Sequence, residues 1–110
     1  MELQIREYKR ANVLRVTGRV DASVAPQFEE TLKQQVQSGH AHLILEMDGT
    51  DYISSAGVRA LISAQKALKG KGGAVILAQP STRVKEVLEI AGLDALFKTF
   101  PDTEAAIGSV

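Results

Sequence analysis

Apolar and polar residues alternate at the start of the chain, where Leu3 and Ile5 are interleaved with Gln4 and Arg6. After the polar break Lys9-Arg10-Ala11-Asn12 comes Val13-Leu14-Arg15-Val16. This pattern predicts two strands joined as a hairpin, the second ended by Gly18. Val24, Phe28, Leu32 and Val36 then recur every four residues. That spacing predicts a helix from about Ala22 to Gln37, capped by Asp21 or Ser23 and closed by Gly39. His42-Leu43-Ile44-Leu45-Glu46-Met47 is apolar on both faces in its middle, as expected of a central strand covered by helices.

The turn-forming pair Asp48-Gly49 interrupts that run and leads into Tyr52-Ile53-Ser54-Ser55-Ala56-Gly57, after which an amphipathic pattern predicts a helix to about Lys69. Ser54 or Ser55 falls at its N-cap or first turn. Gly70-Lys71-Gly72-Gly73 stops the helix, and Ala74-Val75-Ile76-Leu77-Ala78 predicts the next strand, so the β-α-β order favours parallel neighbours. Pro80-Ser81-Thr82 opens a helix through Val84, Val87, Leu88 and Ala91, which Gly92 ends. A short strand over Leu96-Phe97-Lys98-Thr99 and a terminal helix over Pro101 to Ile107 complete the reading. The expected architecture is α/β, a mixed sheet of four to five strands with about four helices largely on one side.

The 110 residues suit one domain with a single core. Thirteen Lys+Arg against thirteen Asp+Glu give no overall field to steer the chain toward nucleic acid or an anionic membrane. With no cysteine there are no disulfides or thiolate metal sites. The opening Met1-Glu2-Leu3-Gln4-Ile5-Arg6 lacks a basic and an apolar signal region, and no stretch approaches the roughly 18 apolar residues of a membrane span. A cytoplasmic protein with no membrane insertion is the expectation.

The two adjacent hydroxyls carry the chemistry. Backbone N–H groups in the first turn of a helix lack partners within it, and the macrodipole presents partial positive charge there, so a phosphate on Ser54 or Ser55 is electrostatically tolerated. On a helical wheel at about 100° per residue, Val58, Leu61, Ile62 and Leu68 gather on one side with Gln65. The other side carries Ala56, Arg59, Ala60, Ser63, Lys66 and Ala67, small residues flanked by two cations. Such a strip suits close approach by a partner, and it equally suits a solvated face built from good helix formers. A phosphate on Ser55 would set a charge of about −1.5 to −2 at its start, which a partner built for a neutral hydroxyl could desolvate only at large cost.

Enzymatic chemistry finds little support. His40 and His42 sit beside a strand start and read as solvated, Ser55 has no base assigned to it, and no nucleophile-elbow pattern occurs. The pair lacks further ligands at metal-binding spacing. Gly70 to Gly73 follows a helix and precedes a strand, the reverse of phosphate-loop order. Asp48 and Asp51 read as ordinary turn residues. No catalytic residue, metal or cofactor is expected.

Taken in order, Val16-Thr17-Gly18-Arg19-Val20-Asp21, Leu43-Ile44-Leu45 leading to Tyr52-Ile53-Ser54-Ser55-Ala56-Gly57, Gly72-Gly73, and Ile90-Ala91-Gly92-Leu93 before Leu96-Phe97 resemble the anti-sigma-factor antagonists, single-domain members of the STAS family. The resemblance spans nearly the whole chain. It implies a small α/β fold that binds an anti-sigma factor with serine-kinase activity and so frees a sigma factor to regulate transcription. In that family the kinase phosphorylates the serine of an Asp-Ser-Ser/Thr-Gly motif, switching binding off, and a metal-dependent, PP2C-type serine phosphatase restores it. Aligned on Gly57, the phosphoacceptor falls on Ser55, with Ser54 as the alternative. Ser54 stands where the family has Asp, and Ala56 where it has a hydroxyl residue. Asp21, Ser54, Ser55, Ala56, Gly57, Arg59, Ala60, Ser63, Lys66 and Ala67 are the candidate partner-binding residues. The rival reading is a STAS scaffold or a transporter-associated STAS subunit with another protein partner.

Overall fold

A computed structural model describes residues 1–110. Strands β1 (Glu2–Glu7) and β2 (Ala11–Val20) form the expected antiparallel hairpin. Helix α1 (Ala25–Val36) leads to β3 (His42–Glu46), β4 (Thr50–Ile53) and helix α2 (Ser55–Lys69). Strand β5 (Ala74–Ala78), helix α3 (Thr82–Ile90), a 3₁₀ turn (Asp94–Leu96), β6 (Lys98–Phe100) and helix α4 (Thr103–Gly108) follow. The sheet runs β1-β2-β3-β5-β6, parallel from β2 onward, and β4 pairs with the far end of β2.

The alternation of the strands sorts the core into two layers. Leu14, Val16, Leu43, Leu45, Val75 and Leu77 pack with Phe28, Leu32, Leu61, Leu68, Val84 and Leu88 of α1, α2 and α3. Val13, Ile44, Ile76 and Ala78 face the other way and meet Ala106 of α4. Three helices on one face and one short helix on the other match the expected lopsided arrangement.

The sheet has six strands, against the four to five expected, because β4 adjoins the serine turn and carries no strand signal of its own. Its four residues are too few to establish a period, and its pairing partner is remote in sequence. Gly18 does not end β2. At φ +93° it sits at a register shift inside the strand, where β2 leaves β3 and takes up β4, and it donates its N–H to the Gly49 carbonyl at 2.9 Å. A bulge glycine and a strand terminator look alike in sequence. The strand expected over Leu96 to Thr99 begins at Lys98, since Leu96 closes the 3₁₀ turn.

Asp21 does not cap α1 itself. Its carboxylate takes the Ser23 hydroxyl at 2.6 Å and the N–H groups of Ser23 and Val24 at 3.0 and 3.3 Å, forming a turn that precedes the helix. Val24 occupies the cap position and Pro26 supplies the preset φ of a first turn.

Candidate functional site

Helix α2 begins at Ser54, the N-cap, whose backbone is extended and whose Oγ accepts the Gly57 N–H at 3.2 Å. The Ser54 N–H donates to the Val20 carbonyl at 2.8 Å, which brings the turn starting at Asp21 beside the start of α2. Gly57 permits this approach: a Cβ there would lie 2.8 Å from Ile53 Cγ1 and 3.0 Å from Val20 Cγ1. Gly57 is buried, so its part is to seat the helix rather than to offer a surface.

Ser55, the first helical residue, is exposed, and no hydrogen bond within the chain engages its Oγ. Of the two hydroxyls, one is committed to the helix backbone and the other is free. Ser55, Val58 and Arg59 line a cleft of about 430 Å³ together with Arg83 and Val87 of α3, Ala91 at the C-cap of that helix, and Tyr52 and Ile53 of β4. Arg19 stands opposite Tyr52 in the β2–β4 register and stacks on its ring, with the guanidinium carbon 4.4 Å from the centroid. Arg83 lies 6.0 Å from the same centroid.

Asp21, alongside, is held below the ordinary carboxylate range chiefly by the Ser23 hydroxyl, with help from the N–H groups of Val24 and Ser23 and the charge of Arg19. It therefore remains anionic at the edge of a cluster that is otherwise cationic.

The outer strip of α2 is not one surface. Ala60 is only 3% exposed, contrary to its place on the wheel, because α1 crosses that flank of the helix. Ala60, Ser63 and Ala67 border a groove of about 310 Å³ against Leu32 and Val36 of α1, whereas Ser55 and Arg59 face α3. Lys66 is exposed and Ala56 half-buried. The opposite side packs inward as the wheel requires, with Val58, Leu61 and Leu68 buried and Ile62 partly so. His40 and His42 are half-exposed, Asp48 is engaged by Arg15 at 2.8 Å, and Asp51 lies exposed on β4. No three His, Asp or Glu side chains converge as a metal-ligand set, and no helix is long and apolar enough to cross a membrane.

Arg19, Tyr52 and Arg83 complete the site and were not among the residues the sequence reading selected. Arg83 carries a detectable signal, since a cation in the first turn of a helix opposes the macrodipole.

With this geometry in place, the chain can be set beside known proteins. Residues 2–106 match the STAS domain family, and the chain belongs to it. Within that family its relatives include proteins named as anti-sigma factor antagonists. BtrV of Bordetella bronchiseptica, which carries that name, is 36% identical over 89 residues, covering 81% of this chain and 77% of its own. The anti-sigma-B factor antagonist of Staphylococcus aureus is 26% identical over 91 residues, 83% of this chain and 84% of its own. The anti-sigma factor antagonist SpoIIAA in its unphosphorylated form shares the fold at a TM-score of 0.83, with 23% identity over 96% of this chain and 93% of its own. The phosphorylated form of the same Bacillus protein gives 0.77, with 22% identity over 98% of both chains.

Proposed function

We propose that this chain is a partner-switching anti-sigma factor antagonist whose unmodified form binds a serine-kinase anti-sigma factor and releases the sigma factor. The kinase transfers the γ-phosphoryl group of ATP to Ser55 Oγ: a new O–P bond forms, the bond to ADP breaks, and the hydroxyl proton passes to a base on the kinase. A PP2C-type serine phosphatase reverses the state by directing water onto the phosphorus, releasing phosphate and regenerating the hydroxyl. In this cycle the chain is substrate and ligand, not catalyst.

The observation that supports the reading best is the division of labour between the two serines. Ser54 is tied into the helix, while Ser55 is exposed at the lip of a cleft. A dianion there meets the free N–H groups of a first turn, so the modified helix need not unravel, yet a partner seated on Ser55 must bury the new charge. Burial of an unpaired charge costs several kcal/mol, and each ~1.4 kcal/mol is tenfold in affinity.

The test is recovery of the chain with its partners from the native cell, followed by phosphosite mapping and titration of the recovered kinase. Ser55→Ala should abolish phosphate incorporation, and Ser55→Glu should weaken kinase binding at least tenfold. Equal affinity of the phosphorylated and unmodified forms would overturn the switch. Recovery of a transporter ATPase, or of large STAS assemblies, in place of a kinase would favour the rival reading.

A further inference from the structure

The cleft beside Ser55 holds two guanidinium groups without a committed carboxylate. Arg59 lies four residues after Ser55 on α2, a spacing that stacks the two side chains on one face with Cβ atoms about 5–6 Å apart. It takes part in no salt bridge. Arg83 reaches the same cleft from the first turn of α3, and its one carboxylate neighbour is Glu86 at 3.9 Å, a long contact between side chains that are both more than half exposed. Such a pair holds its partners weakly. The Arg83 guanidinium carbon lies 6.0 Å from the Tyr52 ring centroid, and its place in the first turn of α3 sets its charge against the macrodipole. Asp21 is the nearby anion, and its Oδ1 is already occupied by Ser23 and Val24.

We propose that Arg59 and Arg83 form a clamp for the phosphoryl group of modified Ser55, bridging α2 and α3 in the phosphorylated state. The inference rests on Ser55 being the phosphoacceptor. Guanidinium groups match phosphate oxygens with paired N–H donors, and two of them on separate helices can hold the group from two sides. Phosphorylation then changes the docking surface in two ways, adding the bulk and hydration of a phosphate at Ser55 and withdrawing two cations that a partner would otherwise meet. The bound phosphate is also shielded from the phosphatase, which gives the off state a longer lifetime.

The experiment installs phosphoserine at position 55 by amber suppression in the full chain, so no kinase is needed, and follows the phosphate by ³¹P NMR against pH. An ordinary phosphoserine gains its second charge near about pH 6. The clamp should bring that midpoint down by roughly half a pH unit or more, and Arg59→Gln and Arg83→Gln should each return part of the shift. Both residues are exposed, so circular dichroism should be unchanged. Removal of the phosphate by a manganese-loaded PP2C-type phosphatase should be severalfold faster in the double variant. A midpoint indifferent to both substitutions overturns the clamp while leaving Ser55 as acceptor. Absence of phosphate at Ser55 in cells overturns the reading beneath it, whatever the titration shows.

Discussion

Ser54 Oγ accepts the N–H of Gly57 at 3.2 Å, so the first of two neighbouring hydroxyls is consumed by the helix it starts. Ser54→Ala should therefore cost about 1 kcal/mol of stability, the usual loss on removing a serine cap. It should leave phosphate incorporation at Ser55 in place. Urea unfolding and phosphosite mapping check the two halves, and loss of incorporation with the helix intact would make Ser54 the acceptor.

Gly57→Ala sets two effects against each other. Alanine favours a helix over glycine by about 1 kcal/mol. The new methyl, at 2.8 Å from Ile53 and 3.0 Å from Val20, forces side chains in a packed core to move, which costs about 1–3 kcal/mol. Overpacking should win, giving net destabilisation of about 1 kcal/mol in chemical denaturation together with weaker partner binding, because the start of α2 is pushed off β4. A stabilised variant would show that the seat is loose.

Gln65, 2% exposed, ties α2 to two other elements: its Oε1 accepts the Val75 N–H at 2.6 Å and its Nε2 donates to the Leu96 carbonyl at 2.7 Å. Gln65→Leu keeps the volume but leaves the buried Val75 N–H unpaired, at a cost of about 1–3 kcal/mol. Hydrogen exchange at Val75 should accelerate beyond what global destabilisation explains.

Glu46, 4% exposed at the end of β3, receives both guanidinium nitrogens of Arg6 at 3.0 and 2.7 Å and the Thr103 hydroxyl from α4. The hydrogen bonds from Arg6, then that from Thr103, hold its pKa below the ordinary 4.5 despite burial. The unfolded chain thus binds this proton more readily than the folded one. The resulting stability is fully present above 4.5 and is lost as pH falls through the depressed folded value. Glu46→Gln should cost about 1–3 kcal/mol at neutral pH. Denaturation midpoints followed into the acid range should fall less steeply for the variant than for the wild type.

The hairpin, the four helices and the order β-α-β were legible because each rests on signals a few residues apart: alternation in Leu3 to Arg6, the four-residue recurrence of Phe28, Leu32 and Val36, caps at Ser54 and Ser81. That a pair of adjacent serines opens α2 was legible for the same reason. Ser54 was the better cap candidate from sequence, and the Ser54 to Gly57 bond shows that hydroxyl committed and leaves Ser55 free. The fourth strand, the bulge at Gly18 and the burial of Ala60 were decided by segments that meet only in the folded chain. A wheel places Ala60 outward because it knows one helix, and α1 then covers it. The gathering of Tyr52, Arg59 and Arg83 at the cleft beside Ser55, with Arg19 stacked on the Tyr52 ring, likewise depends on β2, β4, α2 and α3 packing together. Local periodicity and capping are encoded over a turn or two of chain, whereas electrostatic neighbours from distant segments exist only once burial of the shared core has fixed how those segments meet.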